Sequence, residues 1–168
     1  MSCVGRERMF EHFSIVNKTP VALIRLNYAT DLRYGVLVDL ATKVWRSEVV
    51  DLAMGYFNTI WQGDANAMAL EAFGHVASPP CVLNVSGPEI LNVREVCERL
   101  AALMGKAPRF IGKESDTALL SNASKAYKLF GKPRVSAGHL IEWVADWVKS
   151  GQPLLNKPTH FESRDGKF

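Results

Sequence analysis

The spacing of apolar positions along this chain alternates between strand-like runs and helical periodicity. Val21 to Leu26 reads V-A-L-I-R-L, a near-continuous apolar run that suits a parallel strand buried on both faces. Cys81 to Val85 is a second such run. Between them Val36, Leu37, Leu40, Ala41, Val44 and Trp45 recur at helical spacing and predict a helix over 35–46. Val49 to Ala53 and Phe57 to Trp61 are short strand candidates around Met54-Gly55-Tyr56. An alanine-rich stretch predicts a helix near 64–73, with Asp64 as its cap and Gly74 as its left-handed stop.

The ends of the chain follow the same logic. Val4, Met9, Phe10, Phe13 and Val16 share a broad face of a helix over 3–17. That helix begins abruptly, as a helix does when a chain is cut inside it. Asn92-Val93-Arg94-Glu95 is a capping box, opening a helix that runs to about Met104 and stops at Gly105. Arg109 to Gly112 is a short strand, 122–130 a helix, and 136–150 the last helix. Residues 151–168 hold two prolines and little periodicity, and are expected to form a surface extension or a partner-binding arm.

This alternation of helices and strands argues an α/β class with a parallel sheet. Only two strands are long and apolar, too few for a doubly wound sheet on their own. The chain has 168 residues, 48% hydrophobic and 22% charged, the composition of one ordinary domain. Its net charge of +3 is small, and Lys and Arg alternate with acids, as in Arg6-Glu7-Arg8. That pattern argues against a nucleic-acid partner. No run approaches the roughly 18 apolar residues of a membrane span. Cys3, Cys81 and Cys97 form neither a metal spacing nor a disulfide framework, so a reducing, cytoplasmic setting is expected. His12, His75, His139 and His160 are dispersed, and no metal ligand is assigned.

An ordered series of short motifs identifies a resemblance. Val21 to Asn27 resembles a strand ending Arg-x-x-Asn, and Ile60 to Ala65 a strand ending in an Asp that starts a helix. Leu83 to Gly87 resembles an Asn-Val-Gly segment. Ser124-Lys125 with Phe130-Gly131-Lys132-Pro133 resembles Ser-Lys-Ala followed by Leu-Gly-x-x-Pro. Together they resemble the C-terminal half of an extended short-chain dehydrogenase/reductase, in the NAD-dependent epimerase/dehydratase family, from Val4 to about Lys149. The implied fold is a partial Rossmann-like parallel sheet plus a small C-terminal substrate-binding α/β subdomain. Residues 1–150 would form the family fold without its Gly-rich half, and 151–168 a tail.

The resemblance also implies what this chain lacks. The family's Tyr and Lys precede a Glu that Glu7 matches. Cys3 then stands at the Lys, and the Tyr falls ahead of Met1. A thiol is no equivalent of that ammonium. No G-x-G-x-x-G occurs in the sequence to hold a pyrophosphate. Asn27 and Tyr28, at a strand's C-terminal end, are the implied cofactor and substrate contacts, and Gln62 a further substrate contact. Arg25 is expected in a structural ion pair, and Asn84 to satisfy backbone groups at its strand end. Phe57-Asn58 stand where nucleotide-sugar members carry an Arg for the substrate diphosphate.

The implied function is the substrate-binding portion of an NAD- or NADP-dependent epimerase, dehydratase or reductase. It would act on a sugar-like carbinol or ketone, and it would be inactive as this isolated chain. No residue present is assigned a catalytic role. The alternatives are a non-enzymatic binding or regulatory module, or a structural chain completing its sheet in a homo-oligomer through exposed apolar faces.

Overall fold

The structure, a computed structural model, describes residues 3–163. Its elements are α1 (Cys3–Asn17), β1 (Ala22–Leu26), β2 (Ala29–Thr30), α2 (Val36–Trp45), β3 (Val49–Asp51), β4 (Tyr56–Phe57) and β5 (Ile60–Trp61). There follow α3 (Gln62–Glu71), a 3-10 turn (Ala72–His75), β6 (Cys81–Val85), β7 (Leu91–Asn92), α4 (Val93–Met104), β8 (Arg109–Ile111), α5 (Ser124–Phe130) and α6 (Ala137–Lys149).

The strands pair as β1–β6, β2–β5 and β3–β8, all parallel, and β4–β7, antiparallel. Mixed α/β architecture with short parallel pairs agrees with the partial Rossmann-like expectation. The core lies where α2, α4 and α6 pack on one another. The apolar faces of α2 (Leu37, Leu40, Val44), α4 (Val96, Leu100, Met104) and α6 (Leu140, Val144, Val148) are buried there. Local chemistry sets the limits of these helices. Asn92 Oδ1 accepts from Glu95 N at 3.1 Å, and Gly105 closes α4 at φ 68°. Ser136 Oγ accepts from His139 N at the start of α6.

Several expectations are corrected. β1 is not covered on both faces: Ile24, Arg25 and Leu26 are exposed. Its ladder is to β6, and among the described residues no strand covers its other edge. The run Phe57 to Trp61 divides into β4 and β5, because Asn58 and Thr59 turn inward as buried polar residues. Gly74 lies inside the 3-10 turn and is not a left-handed stop. Asp64 does not cap its helix. α3 begins two residues earlier, and Asp64 Oδ2 instead accepts from Val135 N at 2.9 Å, tying α3 to the start of α6.

The tail is not a free arm over its described part. Phe161 is 1% exposed and meets Phe57 with ring centroids 6.2 Å apart. Thr159 N and Oγ1 both donate to Asp39 Oδ2, and Leu155 N to Arg33 O. Residues 164–168 of the expected tail lie outside the described residues. The apolar side chains expected to share a face of α1 do form a helix, but Met9, Phe10, Phe13 and Val16 all stand exposed.

Candidate functional site

Parallel strands present their C-terminal ends as the place where an α/β sheet meets a ligand, because the loops leave there with unpaired polar groups. The ends of β1 and β6 come together at Asn27, Tyr28, Ser86 and Gly87. Asn27 N donates to Val85 O at 3.0 Å, extending the ladder one step. Ser86 Oγ donates to Asn27 O at 3.3 Å, and Tyr127 Oη of α5 to Ser86 O at 2.7 Å.

Asn58 sits at the centre of this network and is 3% exposed. Its Oδ1 accepts from Asn27 Nδ2 at 2.9 Å and from Ser121 N at 3.2 Å. Its Nδ2 donates to Ser121 O at 2.8 Å and to Gly87 O at 3.3 Å. Two amide hydrogens and two lone pairs are thereby all used. Asn58 is a clamp between three segments, and its amide has nothing left to offer a ligand.

The next residue holds the other side. Thr59 Oγ1 donates to Tyr28 O and shares a 2.8 Å bond with Thr30 Oγ1, while Ile60 N donates to Tyr28 O at 3.1 Å. These bonds keep Tyr28 at φ 45°, a left-handed conformation uncommon outside Gly and Asn. Burial pushes the Tyr28 hydroxyl above its ordinary pKa, and the nearby Glu162 carboxylate adds to this. Gly87 permits the close approach of these loops. A Cβ there would lie 1.9 Å from Thr59 O.

A cleft of about 300 Å³ opens beside the network. Asn58, Ser121, Asn122 and Tyr127 supply its polar wall, and Pro88, Ile90 and Leu120 its apolar one. Asn27, Tyr28 and Gln62 do not line it. Asn27 reaches it through Asn58, and Tyr28 packs against the helical core. Gln62 is exposed on the first turn of α3, directly after β5. Asn58, Ser121 and Tyr127 are the site residues that sequence reasoning missed. Phe57-Asn58 had signalled only an absent Arg, and nothing local marks the other two.

The remaining implied residues are placed as follows. Arg25 forks onto Glu7, with Nε at 2.9 Å and Nη2 at 2.6 Å, on the surface rather than inside the fold. That bond holds the Glu7 carboxyl below the ordinary carboxylate range. Cys3 is exposed, 3.7 Å from Arg6. Asn84 Nδ2 donates to Asn122 O at 3.1 Å, satisfying backbone as expected. The cleft at these strand ends is lined by no cation, and the Arg25 fork is already filled by Glu7. Among the described residues no helix is long and apolar enough to cross a membrane.

Neither a protein-family profile nor a curated protein matches the sequence. Solved structures do match the fold. RMD from Pseudomonas aeruginosa, complexed with NADPH, matches at 13% identity and a TM-score of 0.66, over 86% of this chain and 53% of that one. UDP-glucose 4-epimerase from Thermotoga maritima, with UDP-glucose, matches at 16% and 0.70, over 88% and 52%. The dTDP-glucose 4,6-dehydratase of Bacillus anthracis, in complex with NAD, matches at 16% and 0.68, over 86% and 49%. The chain spans about half the length of these structures, and over that half it has the fold of the NAD-dependent epimerases and dehydratases.

Proposed function

We propose that this chain is the substrate-side portion of an NAD- or NADP-dependent epimerase, dehydratase or reductase acting on a sugar-like carbinol or ketone. The observation that carries this reading is the saturated network at the ends of β1 and β6, set in the fold that those enzymes share. Such a network holds loops rigid beside a reacting centre, which is how a site is positioned rather than how bonds are broken. Asn27, Tyr28 and Gln62 are the proposed ligand contacts, the first two toward the nicotinamide and substrate, the third toward substrate; they flank the cleft beside Asn58 rather than line it. When bound, the cofactor supplies hydride transfer; this chain's residues bind and orient.

Residues 1–150 then form the family-like unit and 151–168 its tail. The free thiols Cys3, Cys81 and Cys97 support a cytoplasmic setting. The exposed Met9, Phe10 and Phe13 of α1 support association through that helix, with a second copy or with the rest of the fold.

The chain alone is inactive in this reading. A turnover assay that follows the sugar product by chromatography as well as nicotinamide absorbance is expected to show no reaction with UDP-glucose and NAD or NADP. Conversion of the sugar or appearance of reduced cofactor would overturn that. A second reading, a non-enzymatic module of the same fold, is favoured by Cys3 at the Lys position and by Glu7 being tied to Arg25. The reading frame upstream of Met1 separates the two. A Gly-rich loop and a Tyr encoded there support the enzyme, and their absence supports the module.

A further inference from the structure

We propose that the cleft beside Asn58 takes an uncharged hydroxylated ring, a sugar carried without a diphosphate, rather than an anionic nucleotide. This rests on the substrate-side reading above and names its substrate class.

The lining contains no Lys, Arg, His, Asp or Glu. A diphosphate is held by forked or paired cations, and an uncompensated anion loses its hydration without replacement. Two cations close in sequence to the lining and to Asn27 are engaged elsewhere: Lys125 Nζ donates to Val82 O at 2.9 Å, and Arg25 is held by Glu7. The Glu89 carboxylate follows Pro88 in the wall, and its field acts on Tyr127, whose hydroxyl burial already pushes up.

What remains suits a neutral polyol. Ser121 Oγ and the Asn122 amide nitrogen carry no hydrogen bond within the described residues, and Tyr127 Oη, which donates to Ser86 O, keeps lone pairs to accept. Hydroxyl groups both donate and accept, so a sugar ring can satisfy all three. Ile90 and Leu120 give its C–H face an apolar wall. The volume of about 300 Å³ is at the small end for ligand sites and fits one ring better than a nucleotide. Asn58 closes the option of a phosphate contact there, since its amide hydrogens already serve Gly87 and Ser121.

The test is an NMR titration of the 15N-labelled 168-residue chain with methyl glucoside, galactoside and mannoside, and separately with UDP and inorganic pyrophosphate. At least one glycoside is expected to shift Ser121 and Asn122 saturably, with affinity roughly tenfold above UDP. Ser121→Ala is expected to weaken that glycoside roughly fivefold while leaving the remaining spectrum folded. Tighter UDP or pyrophosphate binding at these residues overturns the proposal. So does the absence of any glycoside shift, or a Ser121→Ala variant with unchanged affinity. A glycoside that binds here, while any longer form of the chain with a Gly-rich half encoded upstream does no nicotinamide chemistry, sinks the enzymatic reading and leaves this one. UDP seated in the cleft does the reverse.

Discussion

Asn58 and Ser121 exchange two hydrogen bonds across 63 residues of sequence, side-chain amide to backbone amide in both directions. Asn58 is buried, so its amide lacks water as a substitute, while Ser121 is half-buried at the edge of the cleft. Asn58→Ala is expected to cost about 3 kcal/mol, because it strands Ser121 N and O together with Gly87 O. Asn58→Asp should be worse at neutral than at acid pH, since a carboxylate would face two carbonyl oxygens. Urea unfolding at the two pH values checks both; an alanine variant with wild-type stability contradicts the clamp.

Gly87 decides how closely two loops meet. Its hydrogen points where a Cβ would lie 1.9 Å from Thr59 O, a backbone atom. Gly87→Ala is expected to lose about 3 kcal/mol or more, as the Thr59 segment must move. The shift should propagate to Tyr28, whose carbonyl depends on Thr59. Amide chemical shifts of 27–30 report it, and undisturbed shifts there would break the link.

The tail is anchored by Phe161. Phe161→Ala removes a ring packed on Phe57 and is expected to cost about 3 kcal/mol, against roughly 1 kcal/mol for Phe161→Leu. Equal midpoints for wild type and Phe161→Ala in thermal melts would show that the tail contributes nothing.

Asp39 makes the same anchor pH-sensitive. Burial raises its pKa, although the two bonds from Thr159 pull it back; Glu162 raises it further and Lys43 lowers it. The folded pKa therefore exceeds the unfolded value of about 3.9. Stability from this group is fully present below that value and is lost as pH rises through the raised one. Against Asp39→Asn, which cannot ionise, the wild type should fare best in acid and lose ground toward neutral pH. A difference that is flat or opposite in slope refutes this.

The three thiols should react in order of access. Cys97 is fully buried on α4, and burial pushes its pKa up to about 12, so its thiolate is scarce at neutral pH. Cys3 is exposed and Cys81 half-buried. Iodoacetamide with peptide mapping is expected to label Cys3 first and Cys97 only after unfolding. Native labelling of Cys97 would contradict its place in the core.

The helices of the subdomain were legible along the chain, because their signals are local. Asn92 caps α4 through a residue three positions on, Gly105 ends it by its own φ, and the apolar faces of α2 and α6 recur within one turn. The order of β1 and β6 and the family likeness were legible for the same reason. Asp64 misled because a cap and a long-range clamp use the same side chain; only packing brought Val135 to it. Tertiary structure alone decided the site. Asn58 gathers partners 29, 31 and 63 residues away, and Phe161 enters the core beside Phe57, contacts that no local pattern encodes. They arise when buried polar atoms and apolar rings must find partners once water is excluded, and the folded chain supplies those partners from wherever its path returns.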